Sequence, residues 1–140
     1  NRGFTETFTT TKIDPLKIKP APGFILEVEE KPDKIKFTAV EQGRKASKCE
    51  TLWMSSGYAE IGGGTEDEYL RRGLFTWVTG MLVKRLLERG LQPLYIFEQD
   101  NIPSRKTADK LFYDSGGREF AFYLKKSRDP GPQGLGGGSN

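Results

Sequence analysis

The sequence contains no histidine and only one cysteine, Cys49, among its 140 residues. Without an imidazole, this chain cannot supply a Ser-His pair, a Cys-His pair or a histidine ligand to a metal. A single cysteine cannot form an intrachain disulfide. No apolar run approaches the roughly 18–20 residues that a membrane-spanning helix needs. We therefore expect a cytoplasmic protein of a reducing compartment, with no metal site and no membrane partner.

The charge balance argues against a dedicated nucleic-acid binder. The 22 lysines and arginines exceed the 19 aspartates and glutamates by only three. The basic residues also do not cluster with aromatic residues, as a nucleic-acid platform requires. Nucleic acid is thus a disfavoured partner, and the length is that of one domain of about 100–150 residues.

The composition divides the chain into three parts. Residues 1–23 hold one β-favouring stretch, residues 4–11, followed by three prolines, and we interpret them as an N-terminal arm or remnant. Residues 127–140 are rich in glycine, proline and serine, which is typical of a flexible tail. Residues 24–126 carry the domain.

Periodicity predicts an α/β fold for this domain. Strands are expected at residues 24–28, 34–40, 45–54, 58–65, 94–97 and 119–124. Apolar residues at helical spacing predict a helix from about Arg72 to Arg89, and Asp100 or Asn101 can cap a second one that has Pro103 in its first turn. Because a helix precedes residues 94–97, that strand should lie parallel to residues 58–65.

The most informative segment is the passage from strand 58–65 into the first helix. Arg71, Arg72 and Gly73 stand directly before the helix. Free backbone N–H groups at a helix N-terminus attract anions, two arginines add positive charge, and glycine allows close approach. The segment therefore has the features of a pyrophosphate cradle. The alternative is that two arginines and a glycine merely open a helix.

Two motifs stand out within roughly residues 34–124. The first reads Glu60-Ile61-x-x-x-Thr65-x-x-Glu68-Tyr69-x-x-Arg72-Gly73-Leu74. The second includes Pro93-Leu94-Tyr95, Asn101-Ile102-Pro103-Ser104-Arg105 and Ala108-Asp109-Lys110-Leu111. Both resemble motifs of the GNAT acyltransferases, and the most similar branches are the glycine N-acyltransferase-like group and the acetyltransferases of antibiotic self-resistance. The resemblance implies a mixed, mostly antiparallel sheet with a central parallel strand pair, helices packed on it and a short N-terminal half.

The resemblance also implies that acetyl-CoA or another acyl-CoA is bound. Its pantetheine arm would pair with the backbone of Gly63, Gly64 and Thr65, at a bulge that separates two strands. The alternative for the glycine run is that the strand ends early. The thioester end would lie at Asn101 and Ser104. The pyrophosphate would be held by Arg71, Arg72, Gly73, Leu74, Phe75 and Thr76.

Acyl transfer to an amine needs a base, an oxyanion donor and an acid for the thiolate. Without histidine the base must be a carboxylate, with Glu60 as the first candidate and Glu98 as the second. The oxyanion donor would be a backbone N–H of Gly63 or Gly64. Tyr113 or Tyr95 could act as the acid, since a phenol has a pKa of about 10. Each of these side chains also has an ordinary structural interpretation, and Cys49 is interpreted as a core or surface thiol.

Three departures from the family pattern support a different function, a non-catalytic GNAT-like module that binds acyl-CoA or has lost it. Leu70 replaces a polar residue, Ala108 stands where the family often has a tyrosine, and Leu111-Phe112-Tyr113 lacks the usual glycine. The acceptor would be a small-molecule or peptide amine. Because the N-terminal half is short, a second copy or a partner domain would complete the acceptor wall.

Overall fold

A computed structural model of the chain describes residues 5–112. The predicted strand at 119–124, the tail and Tyr113 lie outside them. The described part contains six strands and two α-helices. The strands are β1 (Thr5–Thr9), β2 (Ile25–Lys31), β3 (Lys34–Glu41), β4 (Arg44–Met54), β5 (Tyr58–Thr65) and β6 (Gln92–Glu98). The helices are α1 (Leu74–Glu88) and α2 (Ile102–Leu111), and short 3₁₀ turns occupy Pro15–Lys17 and Asp67–Tyr69.

All six strands form one mixed sheet in the order β1-β6-β5-β4-β3-β2. Strands β2 to β5 are an antiparallel meander, whereas β5 and β6 pair in parallel. The predicted fold class is confirmed, including the central parallel pair that the α1 crossover requires.

The strand predicted in the N-terminal arm is an edge strand of this sheet. β1 runs antiparallel to β6, with Thr7 opposite Ile96. The Thr9 hydroxyl donates to the Pro93 carbonyl over 2.6 Å, and the Gln92 amide donates to the Thr9 hydroxyl over 3.1 Å. The arm therefore contributes a strand next to the parallel pair, which sequence periodicity could not show.

Helix α1 packs on one face of the sheet and covers the core. Ile35, Cys49 and Ile61 come from three neighbouring strands, and each is at most 1% exposed against this helix layer. The thiol of Cys49 is thus a core group, as expected. Trp53 of the same strand is by contrast 39% exposed. A register shift between Thr51 and Trp53 places Trp53 opposite Glu60, away from the core face.

None of the helices in the described part of the chain is long and apolar enough to cross a membrane. Within residues 5–112, no group of three histidine, cysteine, aspartate or glutamate side chains is arranged to hold a metal ion.

Candidate functional site

The two parallel strands separate before they end. Their pairing runs from Tyr58 and Gln92 to Ile61 and Tyr95. Beyond that point β5 continues to Thr65 and β6 to Glu98, and these two stretches do not pair with each other. We call the opening between residues 62–65 and 96–98 the β5–β6 notch. Among the described residues, the β5 edge that faces this notch has no strand partner, so its backbone groups can bind an extended ligand.

The glycine run on β5 is regular strand. Gly62, Gly63 and Gly64 lie opposite Glu50, Cys49 and Lys48 of β4, one residue to one. The predicted separation of two strands occurs beside these glycines, but no bulge interrupts their pairing with β4, and the alternative that the strand ends early was wrong. A Cβ on Gly63 would overlap the Lys48 carbonyl oxygen and lie 2.8 Å from the Cys49 Cα, whereas one on Gly64 would meet nothing within 4 Å. Gly63 is therefore required by the close approach of β4.

Helix α1 starts without a side-chain cap. Arg71 and Gly73 have φ angles of 63° and 78°, in the left-handed region, and Gly73 is the N-cap. The helix therefore begins at Leu74, two residues later than predicted, because those conformations cannot continue a right-handed helix. The first backbone acceptor of α1 is the Gly73 carbonyl, which accepts a hydrogen bond from the N–H of Trp77. The N–H groups of residues 74–76 precede that bond and have no intrahelical partner.

Two exposed arginines adjoin these free N–H groups. Among residues 5–112, neither Arg71 nor Arg72 has a carboxylate within salt-bridge distance. The Arg72 guanidinium lies 5.2 Å from the centroid of the Tyr69 ring, which holds it on the turn. Arg44 contacts the same ring at 5.7 Å, but it is paired with Glu68. The two arginines of the turn therefore keep positive charge for an anion.

The two carboxylates proposed as bases are far apart. Glu60 is half-buried on β5, where it lies opposite Leu94 of β6, one residue before the last parallel pair. Glu98 is exposed at the end of β6, four residues beyond Leu94. At about 3.3 Å per residue the two lie about 13 Å apart along the sheet. They cannot act on one atom together, and Glu60 is the one beside the point of separation.

The start of α2 joins the separation point through a pair of hydroxyls. Asn101, rather than Asp100, caps the helix, and its side-chain oxygen accepts the Ser104 N–H over 3.2 Å. The Tyr95 hydroxyl donates to the Ser104 Oγ over 2.8 Å. Tyr95 is only 2% exposed, and burial raises its pKa above the usual range. Tyr95 therefore stays protonated, and because its hydroxyl donates to Ser104, the Ser104 hydroxyl proton can be donated elsewhere.

Sequence reasoning missed two side-chain links of this region. It named Tyr95 and Ser104 separately and did not pair them. It also did not detect the Thr76 and Thr107 hydroxyls, which lie 3.1 Å apart and join α1 to α2. No sequence pattern signals such bonds, because the second joins residues that are 31 positions apart.

Comparisons with protein-family models and with curated proteins find no match. Solved structures do match, beginning with a GCN5-related N-acetyltransferase-like protein from Streptococcus suis (TM-score 0.64, 18% identity, 78% of this chain and 56% of that chain). The chain has the GNAT fold. A GNAT-family protein from Novosphingobium aromaticivorans gives a TM-score of 0.61, 17% identity and coverage of 77% and 58%. For a GNAT-family acetyltransferase from Colwellia psychrerythraea the values are 0.60, 14%, 76% and 50%.

The first predicted motif spans β5 and the start of α1, and the second spans β6 and α2, which is the order that the resemblance implies. The chain spans 50–58% of the length of these neighbours. At identities below 20% the likeness establishes the fold alone, so the two branches named from the sequence stay predictions. Chemically, the notch, the uncapped helix start and the two arginines can hold an extended molecule that ends in an anionic group.

Proposed function

We propose that this chain binds acyl-CoA in the β5–β6 notch and transfers an acetyl or other short acyl group to an amine. The observation that carries the proposal is the continuity of the site. The open β5 edge at residues 62–65 leads along the chain to the uncapped start of α1, which Arg71 and Arg72 flank. The edge would bind the pantetheine amides, and the helix start would bind the pyrophosphate.

Glu60 is the proposed base. The amine must lose a proton before its nitrogen can attack the thioester carbonyl carbon, and a carboxylate can accept that proton directly or through water. Glu60 stands beside Ile61, the last β5 residue paired with β6. A backbone N–H of Gly63 or Gly64 would stabilise the oxyanion that forms. Collapse then breaks the carbon–sulfur bond and releases the CoA thiolate.

Among the described residues, the Ser104 hydroxyl is proposed to stabilise that thiolate by donating a hydrogen bond to it, while the proton that the thiolate takes up comes from solvent water. Tyr95 was considered as the acid, but its proton is already donated to Ser104. The raised pKa of Tyr95 keeps this proton in place, so Tyr95 orients Ser104. Tyr113 stays a predicted acid that lies outside the described residues. Asn101 uses its side-chain oxygen to cap α2, which leaves its amide N–H₂ group for the thioester end.

The acceptor is proposed to be a small-molecule or peptide amine in the cytoplasm. Its wall would be completed by a second copy of the chain or by a partner domain. The second candidate function is a non-catalytic module that binds acyl-CoA. Ala108 favours it, because this residue is fully buried on α2 and has no acidic group to offer.

A thiol-release assay tests the transfer. The protein is incubated with acetyl-CoA and a panel of amines, and free CoA is measured over time. We expect turnover with the wild type and at least a tenfold lower kcat in Glu60→Gln, with CoA affinity unchanged. Glu98→Gln is the matched control and should keep its kcat. Binding of CoA without thiol release on any amine would favour the non-catalytic module.

A further inference from the structure

A second cleft lies on the side of β5 that faces β4, away from the β5–β6 notch. It is open to solvent and has a volume of about 330 Å³. Thr38, Lys48 and Gly64 are register neighbours across β3, β4 and β5, so they lie in one row on one face of the sheet. Their chain neighbours Phe37 and Cys49 point to the opposite, core face. We call this opening the lysine cleft. Its lining consists of Lys36, Thr38, Lys45, Ala46, Ser47, Lys48, Gly64, Thr65 and Glu66.

The lining is predominantly cationic. The charged residues of the lining are three lysines and one glutamate, Glu66. Lys36 and Lys48 have their nearest carboxylates at 3.7 Å and 3.3 Å, on residues that do not line the cleft. Lys45 is exposed and has no carboxylate within salt-bridge distance among residues 5–112. Glu29 is shared by two lysines, and so is Glu50, while Lys45 has no such partner, so the carboxylates neutralise only part of the positive charge around the cleft.

The remaining lining is polar and fits an oxyanion. Thr38 is only 5% exposed, and its hydroxyl adds a neutral donor between the lysines. The hydroxyls of Ser47 and Thr65 lie 2.8 Å apart, and Ser47 also donates to the Gly64 carbonyl over 3.2 Å, which fixes this wall. Lysine ammonium groups bind phosphate as point charges, and about 300 Å³ is the lower end of the size of a small-molecule site.

This cleft is separate from the pyrophosphate cradle. None of residues 71–76 lines it. Lys48 pairs with Gly64 on the β4 side of β5, whereas the notch opens on the β6 side. The two openings share only Gly64 and Thr65.

We infer that the lysine cleft binds a small molecule that carries a multiply charged oxyanion, either a phosphate or a cluster of carboxylates. This site goes beyond the proposed acyl transfer and does not depend on it. The three lysines supply the attraction, and the Thr38 hydroxyl supplies the neutral hydrogen bond.

The test is a titration followed in ¹H–¹⁵N spectra, with inorganic phosphate in one series and citrate in another. We expect saturable shifts at the amides of Lys45, Ala46, Ser47 and Lys48, which do not border the notch, with at least one of the two anions, and the tighter anion identifies the source. Lys45→Glu should raise Kd about tenfold and Lys45→Gln less, because the effect is one of charge. Lys106→Glu, on an exposed face of α2, should leave Kd unchanged.

Three results would overturn this site. Equal losses in the Lys45 and Lys106 variants, or shifts that spread over many lysines without saturation, would show an adventitious ion only. Displacement of the anion by CoA would show that the cleft belongs to the nucleotide site. If the protein does not bind CoA at all, the proposed acyl transfer is contradicted, but the titrations with phosphate and citrate still test anion binding in the lysine cleft.

Discussion

Ile61 and Tyr95 form the last residue pair that joins β5 to β6, and the two strands separate directly beyond them. Both side chains are almost fully buried, at 1% and 2% exposure. The separation point is therefore fixed by the core on one side and open at the strand edges on the other. Everything proposed for acyl-CoA depends on this geometry.

The first prediction concerns the two neighbouring glycines of β5. Gly63→Ala should lower the free energy of unfolding by about 3 kcal/mol or more, because its Cβ would overlap backbone atoms of β4. Gly64→Ala is the matched control and should change stability by less than about 1 kcal/mol, since nothing lies within 4 Å of its Cβ. Urea denaturation followed by tryptophan fluorescence measures both. Equal losses would mean that β4 and β5 are not paired in this register.

The second prediction separates the two members of the hydroxyl pair. Ser104→Ala leaves the buried Tyr95 hydroxyl without its acceptor, whereas Tyr95→Phe leaves a half-buried serine that can reach water. The serine substitution should therefore cost about 1 kcal/mol more than the tyrosine substitution. The midpoints of urea unfolding give the comparison. A larger loss in Tyr95→Phe would contradict the burial of the Tyr95 hydroxyl against Ser104.

The third prediction is a pH dependence at Glu50. Partial burial opposes its ionisation, but hydrogen bonds from Lys34 and Lys48 outweigh this, so the pKa of Glu50 lies below its usual 4.5. A carboxyl with a lowered folded-state pKa stabilises the fold above the unfolded pKa, and this contribution disappears as the pH falls through the folded pKa.

Wild type should therefore exceed Glu50→Gln in stability at pH 7 by up to about 1 kcal/mol, and the gap should close as the pH falls below 4.5. Urea titrations from pH 7 to pH 3 measure the difference. Glu27→Gln, an exposed residue of β2 without an ion pair among residues 5–112, is the control. A gap that stays constant with pH would show that Glu50 does not titrate against these lysines.

The fourth prediction uses the single cysteine as a probe of opening. Cys49 is fully buried, and burial raises the pKa of its thiol to about 12. Its reaction with a disulfide reagent at pH 8 should be about a thousandfold slower in the native protein than in urea. Rapid reaction of one thiol per native protein molecule would contradict the burial of β4 under α1. Because a buried Cys49 reacts slowly, it also adds no background signal to assays that measure the thiol of released CoA.

Local patterns predicted most of the fold, because strand alternation and helical spacing are properties of neighbouring residues. The strands β2 to β6 and both helices were predicted in this way, and the helix between β5 and β6 added that these two strands are parallel. The pairing of β1 with β6 was not, since Thr9 and Pro93 are 84 residues apart and no periodicity links them. The exposure of Trp53 was not predictable for a related reason, because a one-residue register shift on β4 turns it to the other face.

The candidate site was only partly predictable. The resemblance marked Arg72, Gly73 and the glycine run, and the structure places them at one end of the parallel pair. The resemblance could not reveal that the glycines continue the pairing of β5 with β4, or that the Tyr95 hydroxyl donates to Ser104. The lysine cleft escaped detection because its residues come from three strands and meet only after the sheet has formed.

The binding of CoA is the most direct test of the account. Titration calorimetry with acetyl-CoA should give one saturable site, and ¹H–¹⁵N spectra should shift at residues 62–65 and 74–76. Arg72→Glu should weaken binding about tenfold or more, while Lys106→Glu should leave it unchanged. The absence of binding, or equal effects of the two substitutions, would contradict a pyrophosphate site at the start of α1.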